Sequence, residues 1–163
     1  FSSAMNNYRL TPPNKRYLWM PIYLPSVTGD EINVAVAVDT SGSISDDELR
    51  MFLSEIKGIT EQFSNYTIHV IQCDAKVHGY HVLTNMDSDP PTRIVGRGGT
   101  DFRPPFELVE KEDLSISCMV YLTDGWGPFP AQEPKYPTIW CMTTDKVAPF
   151  GETIRLERET VST

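Results

Sequence analysis

Basic charge is scarce in this chain and nowhere clustered. Over 163 residues, 14 Lys and Arg face 22 Asp and Glu, a formal charge of −8. The densest basic spots are Lys15-Arg16 and the sparse pair Arg93 and Arg97. Nucleic-acid binders draw affinity from clustered cations that neutralise phosphates, so no nucleic-acid partner is expected. An acidic domain suits a bound cation or a basic partner instead. Cysteine is also rare. Cys73, Cys118 and Cys141 are odd in number, widely spaced and set inside apolar runs. That pattern gives neither a disulfide ladder nor a CxxC zinc site, and points to buried reduced thiols in a cytoplasmic protein. No apolar run approaches the ~18 residues of a membrane span, and no signal peptide is recognisable, so no membrane role is expected. The sequon Asn65-Tyr66-Thr67 would matter only in a secreted protein. Repeats and low-complexity tracts are absent. The first residue is Phe1 rather than Met, which suggests a piece of a longer protein.

What is present suffices for one domain. At 40% hydrophobic residues, the chain can bury a core without metal or disulfide support. Residues 1–30 stand apart, mixing Pro12, Pro13, Pro21 and Pro25 with Tyr8, Tyr17, Trp19 and Tyr23. Proline restricts its own backbone and its neighbour's, so this reads as an extended lead-in or linker, with the domain at 31–163. Ile32–Val38 is apolar on both faces, β-branched on one and Ala on the other. A strand covered on both sides has this pattern, and the small face would let a helix approach closely. A helix follows, with Ser45 and Glu48 as a capping box, Ile44 and Leu49 at the staple positions, and acids in the first turn. Leu49, Phe52, Leu53, Ile56, Ile59 and Phe63 recur at helical spacing.

Further along, Thr67–Cys73 and Lys76–Leu83 read as strands. The Asp74-Ala75 link between them is too short for a parallel crossover and implies an antiparallel hairpin. Pro104-Pro105 suit the first turn of a helix to about Lys111. Strands are expected at Ile116–Leu122 and Thr138–Met142, with a short one at Ile154–Leu156. The order β-α-β-β-α-β-β with buried strands predicts an α/β fold with an open sheet, whose ligands sit at the carboxyl ends of the strands.

Two of those ends carry an Asp. After the first strand, Asp39, Ser41 and Ser43 alternate in one loop, a carboxylate beside two neutral hydroxyls. Such donors make a hard-cation site of low charge, suited to Mg2+, which prefers six oxygens and keeps some of its waters. The same three residues also describe a turn followed by helix caps. Two further blocks favour the ion: Gly98-Gly99-Thr100-Asp101 offers a hydroxyl on a glycine-rich loop, and Leu122-Thr123-Asp124-Gly125 sets a carboxylate at another strand end.

Taken together, Val38-Asp39-Thr40-Ser41-Gly42-Ser43-Ile44-Ser45, Gly98-Gly99-Thr100-Asp101 and Leu122-Thr123-Asp124-Gly125 resemble the metal-ion-dependent adhesion site (MIDAS) of von Willebrand factor A (VWA) domains. The resemblance covers roughly residues 32–143. The flanking text (YLPS, FLSEI, CDAKV, GGTDFRP, PFGE) is similar to the C-terminal VWA-like domains of bacterial metallopeptidase-like proteins, whose genes often accompany MoxR-type AAA ATPases. It implies a Rossmann-like VWA fold, with a mostly parallel central sheet, an antiparallel edge hairpin and flanking helices. It implies Mg2+ (or Mn2+ or Ca2+) held by Ser41 and Ser43 directly, by Thr100 directly or through water, and by Asp39 and Asp124 mostly through water. The sixth position would accept an Asp or Glu from a partner protein. A MoxR-type AAA ATPase is the implied associate of the longer protein. Larger VWA domains carry more helices between their strands than this chain does.

His78 and His81 form HxxH, but residues three apart on a strand point to opposite faces, so shared zinc ligation is not expected. HExxH is absent. Asp39 lacks the second Asp two residues on that an aspartyl-phosphate phosphatase needs, because Ser41 stands there. Neither Ser41 nor Ser43 has a base placed beside it by sequence. Trp126 and Phe129 are either an apolar partner-binding rim beside the metal or a loop folded onto the core. Arg97 and Arg103 flank Thr100 and are candidates to meet an incoming carboxylate. The leading expectation is a non-enzymatic, Mg2+-dependent interaction module. The alternatives are a Mg2+-assisted phosphatase or hydrolase, and a structural domain with a vestigial site.

Overall fold

The structure is a computed structural model that describes residues 31–41, 44–86 and 93–156. The lead-in at 1–30, and Gly42 and Ser43 of the first loop, lie outside the described residues. The elements are β1 (Glu31–Asp39), α1 (Asp46–Thr60), β2 (Asn65–Cys73), β3 (Val77–Thr84), α2 (Arg103–Lys111), β4 (Cys118–Thr123), β5 (Thr138–Met142) and β6 (Glu152–Arg155). They build one six-stranded sheet in the order β3-β2-β1-β4-β5-β6. All pairs are parallel except the β2–β3 hairpin at one edge, as its short connection required.

The expected capping box is in place. Glu48 N–H donates to Ser45 Oγ at 3.1 Å, and Ser45 N–H donates to Glu48 Oε1 at 3.2 Å. The helix it opens, α1, ends at Thr60, whose hydroxyl donates to the Lys57 carbonyl at 2.9 Å. Phe63 lies beyond this end, packed against the core from the turn that leads into β2.

The two faces of β1 are buried by different materials. Val34, Val36 and Val38 pack with Leu49, Phe52, Leu53 and Ile56 of α1 and with β2 and β4 aliphatics. Ala35 and Ala37 look the other way, into a cluster with Phe102, Phe106, Met119, Tyr121 and Trp140. The space on the alanine side is shared by these rings and α2, which contributes Phe106 and Val109. Tyr121 and Trp140 stack at 4.9 Å between centroids, and Phe102 meets Tyr121 edge-on at 5.5 Å. The three cysteines are all buried and unpaired. No helix among the described residues is long and apolar enough to cross a membrane.

At the opposite end of the sheet from the candidate site, a polar relay ties three strands. Asn33 Nδ2 donates to the Ser115 carbonyl at 2.9 Å, which turns its Oδ1 toward His69 Nε2 at 2.8 Å. The Nε2 therefore carries the proton, and Nδ1 accepts from the Tyr80 hydroxyl at 2.8 Å. Burial holds His69 below the usual imidazole range. A folded-state pKa below the unfolded value of about 6.5 means that the stability from neutral His69 is complete above that pH. It is lost as pH falls through the folded value. The urea midpoint of the wild type should therefore drop between pH 7.5 and 5.5 by more than that of a His69→Gln variant. Equal drops in the two proteins would show that His69 contributes no such linkage.

Candidate functional site

The strand order reverses direction of travel at β1. The chain leaves β1 through α1 to β2 on one side, then returns through α2 to β4 on the other. The crevice at such a switch point is where open α/β sheets place ligands. Val38 pairs with Leu122, so the carboxyl ends of β1 and β4 finish level, with Asp39 and Thr123 as their last residues.

Asp39 is 1% exposed and is the centre of the arrangement. Its Oδ1 accepts from the Ser41 backbone N–H at 3.0 Å and from the Ser41 hydroxyl. Its Oδ2 accepts from the Thr123 hydroxyl at 2.6 Å. The Thr100 hydroxyl in turn donates to Ser41 Oγ. Thr100, remote in sequence from Asp39 and Ser41, thus converges on the same spot. Asp124 follows on β4, partly buried, with its Oδ1 accepting from Trp126 N–H at 3.0 Å and its carbonyl accepting from the Thr144 hydroxyl at 2.5 Å. Its charge reaches Asp39. Burial pushes the Asp39 carboxyl up from the ordinary range, hydrogen bonds from Ser41 and Thr123 oppose this, and the Asp124 charge adds to the rise. Gly125, at φ +86°, makes the turn that lets its own N–H donate to Thr123 Oγ1 at 3.0 Å.

Hydroxyls and two carboxylates are a hard-oxygen donor set, consistent with Mg2+ and unlike a zinc site. Among the described residues, no group of three or more His, Cys, Asp or Glu is placed to hold a metal ion. Ser41 and Thr100 would be the hydroxyl ligands, with Asp39 and Asp124 behind them. Ser43, the remaining candidate ligand, lies outside the described residues.

The residues proposed to meet a partner are placed differently from one another. Trp126 is 63% exposed, with Lys146 Nζ 3.8 Å from its ring centroid. Phe129 turns inward, 4.8 Å from Phe102 and 4.9 Å from Trp140 between centroids, as part of the aromatic layer. Arg103 is engaged by its neighbour: Nε and Nη2 donate to the two Asp101 oxygens at 2.9 and 2.7 Å. That ion pair holds the Asp101 carboxyl below the usual range. Arg97 is exposed, sits at φ 79° and reaches the Ile44 carbonyl through Nη2 at 3.4 Å. His78 and His81 share no site: His78 Nε2 lies 2.7 Å from Asp74 Oδ1, while His81 is exposed.

Two participants escaped sequence reading. The Thr123 hydroxyl, beside the more conspicuous Asp124, supports Asp39 from the last position of β4. Asp74 was read only as a hairpin link. The available signal was that Ile68–Cys73 is a third buried strand, running straight into an Asp as β1 does.

With this geometry in hand, the comparisons are specific about the family. The VWA-like domain (DUF2201) family profile matches residues 34–157. The chain belongs to this family. An uncharacterized protein of Thermotoga maritima is 32% identical over 122 residues, which cover 72% of this chain. The VWA-like domain aligned there spans only 28% of that relative's length. No solved structure matches.

In this VWA-like domain, Thr123 leaves a buried carboxylate oxygen without its donor if the hydroxyl is lost. Thr123→Val should lower the unfolding free energy by about 1–3 kcal/mol, the cost of an unsatisfied buried polar group. Thr123→Ser should recover most of it. Urea denaturation of the two variants beside wild type checks this; equal stability of Val and Ser variants would contradict it.

Proposed function

We propose that this VWA-like domain is a Mg2+-dependent protein-interaction module that completes its metal site with a carboxylate from a partner. The observation that carries the reading is the burial of Asp39 among hydroxyl groups at the switch point, with a second carboxylate, Asp124, close enough to raise its pKa. Burial makes the charged form of Asp39 costly, and the Asp124 charge adds to that cost; a bound cation would offset both. Ser41, Ser43 and Thr100 would hold the ion, and Asp39 and Asp124 would supply its balancing charge. When bound, Mg2+ supplies a Lewis-acidic centre with exchangeable water positions.

The protein side of the interface has its own support. Trp126 stands exposed two residues after Asp124, an aromatic surface of the kind that anchors interfaces. Lys146 over that ring adds a positive charge beside an otherwise acidic site, favourable for an incoming Asp or Glu. The three buried free thiols fit a reducing compartment such as the cytoplasm. The motif resemblance extends the proposal to the longer protein, as a metallopeptidase-like chain working with a MoxR-type AAA ATPase. A hydrolase reading draws less support. Both Asp39 oxygens are already occupied by hydroxyl donors, as suits a positioned outer ligand rather than a free nucleophile.

Calorimetric titration of Mg2+ and Mn2+ should give saturable binding in the wild type and none in a Ser41→Ala/Ser43→Ala double variant. Wild-type protein that takes up neither ion would overturn the metal reading. Phosphoester hydrolysis that Asp39→Asn abolishes would replace the interaction module with an enzyme.

A further inference from the structure

Asp74 is the most heavily engaged side chain near the site that the proposed metal chemistry does not use. It is 5% exposed and follows β2, one strand over from Asp39. Its Oδ1 accepts from Lys76 N–H at 3.0 Å and faces His78 Nε2 at 2.7 Å, closing the β2–β3 hairpin. Its Oδ2 crosses to the glycine loop and accepts from Gly98 N–H at 2.8 Å. Its backbone carbonyl accepts from Asp101 N–H at 3.0 Å. One residue thus grips the loop on both sides of Thr100. The fit leaves no spare room, because a Cβ on Gly98 would lie 2.7 Å from Asp74 Oδ2.

We infer that Asp74 is a positioning residue, clamping the Gly98–Asp101 segment so that the Thr100 hydroxyl is presented to Ser41 before any ion arrives. This rests on the metal reading of the site for its functional consequence, though not for the clamp itself. The physical reason is entropic. A glycine-rich loop free to wander must be ordered when the ion binds, and that cost is subtracted from affinity. A carboxylate suits the task because it offers acceptors on two sides at once, one oxygen for the hairpin and one for the loop. An amide cannot do both. Asn at this position can keep an oxygen toward Lys76 and His78, but then turns its NH2 against the Gly98 N–H. Asp74→Asn should therefore release the loop while leaving the hairpin turn intact.

Two measurements separate the clamp from the metal reading. The first is amide hydrogen exchange on metal-free protein. In Asp74→Asn, the Gly98 amide should exchange faster while β1, β4 and β5 keep their protection, and the Asp101 amide, held by the backbone carbonyl of residue 74, should change less. Unchanged exchange at Gly98 overturns the clamp, whatever the ion does. The second is Mg2+ affinity by calorimetry in a cycle with Thr100→Ala. Outer residues that orient metal ligands typically cost about 10–100-fold in affinity when changed, and Asp74→Asn should fall in that range. In the Thr100→Ala background the same change should cost little more, since its target hydroxyl is gone. Full additivity, or unaltered affinity despite faster exchange, overturns the role in binding. A wild type that binds no Mg2+ overturns the metal reading, and the exchange result then decides the clamp alone.

Discussion

The parallel pairing of β1 with β4 is the contact on which the candidate site depends. These strands are remote in sequence, yet Val38 lies opposite Leu122, so their carboxyl ends stop at the same height. That register sets the Thr123 hydroxyl 2.6 Å from Asp39 Oδ2 and brings the Asp124 charge to bear on Asp39. A slip of one residue would exchange the side chains of the two faces, and the different aliphatic and aromatic clusters on them forbid it. Core packing and site geometry are thus one constraint. The valines that bury β1 against α1 also aim Asp39.

Division of labour between scaffold and loops follows from this. Strand ends hold the carboxylates, Asp39 buried among its donors and Asp124 partly buried just past β4. Loops hold the hydroxyls, reached from Ser41 on one side and Thr100 on the other. A loop can position a ligand only as well as it is itself restrained. Here the Thr100 segment is restrained twice, by Asp74 on the hairpin side and by the Phe102 N–H donating to the Pro128 carbonyl at 3.0 Å. Gly127 lets the second restraint come close, since a Cβ there would meet Thr100 Cγ2 at 2.6 Å.

The aromatic layer has a second consequence. Phe129 and Trp126 stand three residues apart in one loop, yet one is bound into the ring cluster and the other is exposed. Phe129 anchors the loop to Phe102 and Trp140, and that anchoring is what allows Trp126 to project beside Asp124 on a fixed base. Lys146 lying over the exposed ring belongs to the segment after β5. The rim of the site is therefore assembled from two separate stretches of chain.

Much of this was legible in the order of residues. Local patterns determined the strand–loop–helix unit around Asp39, the capping box at Ser45, the antiparallel hairpin and the parallel α/β class, because each depends on neighbours a few positions away. The chemical types at Asp39, Ser41, Thr100 and Asp124 were equally plain. Three things were decided only by tertiary structure. The alanine face of β1 became a seat for aromatic rings, because Phe102, Phe106, Tyr121 and Trp140 arrive from other elements. Phe129 was taken up by the core. Asp74, a plain hairpin residue in sequence, became the link between the hairpin and the Thr100 loop. Sequence determines what each residue is able to donate or accept, and short-range pattern determines where the strands begin and end. Which donor meets which acceptor across some 25 residues or more was decided by the sheet register, which burial of both faces sets as a whole.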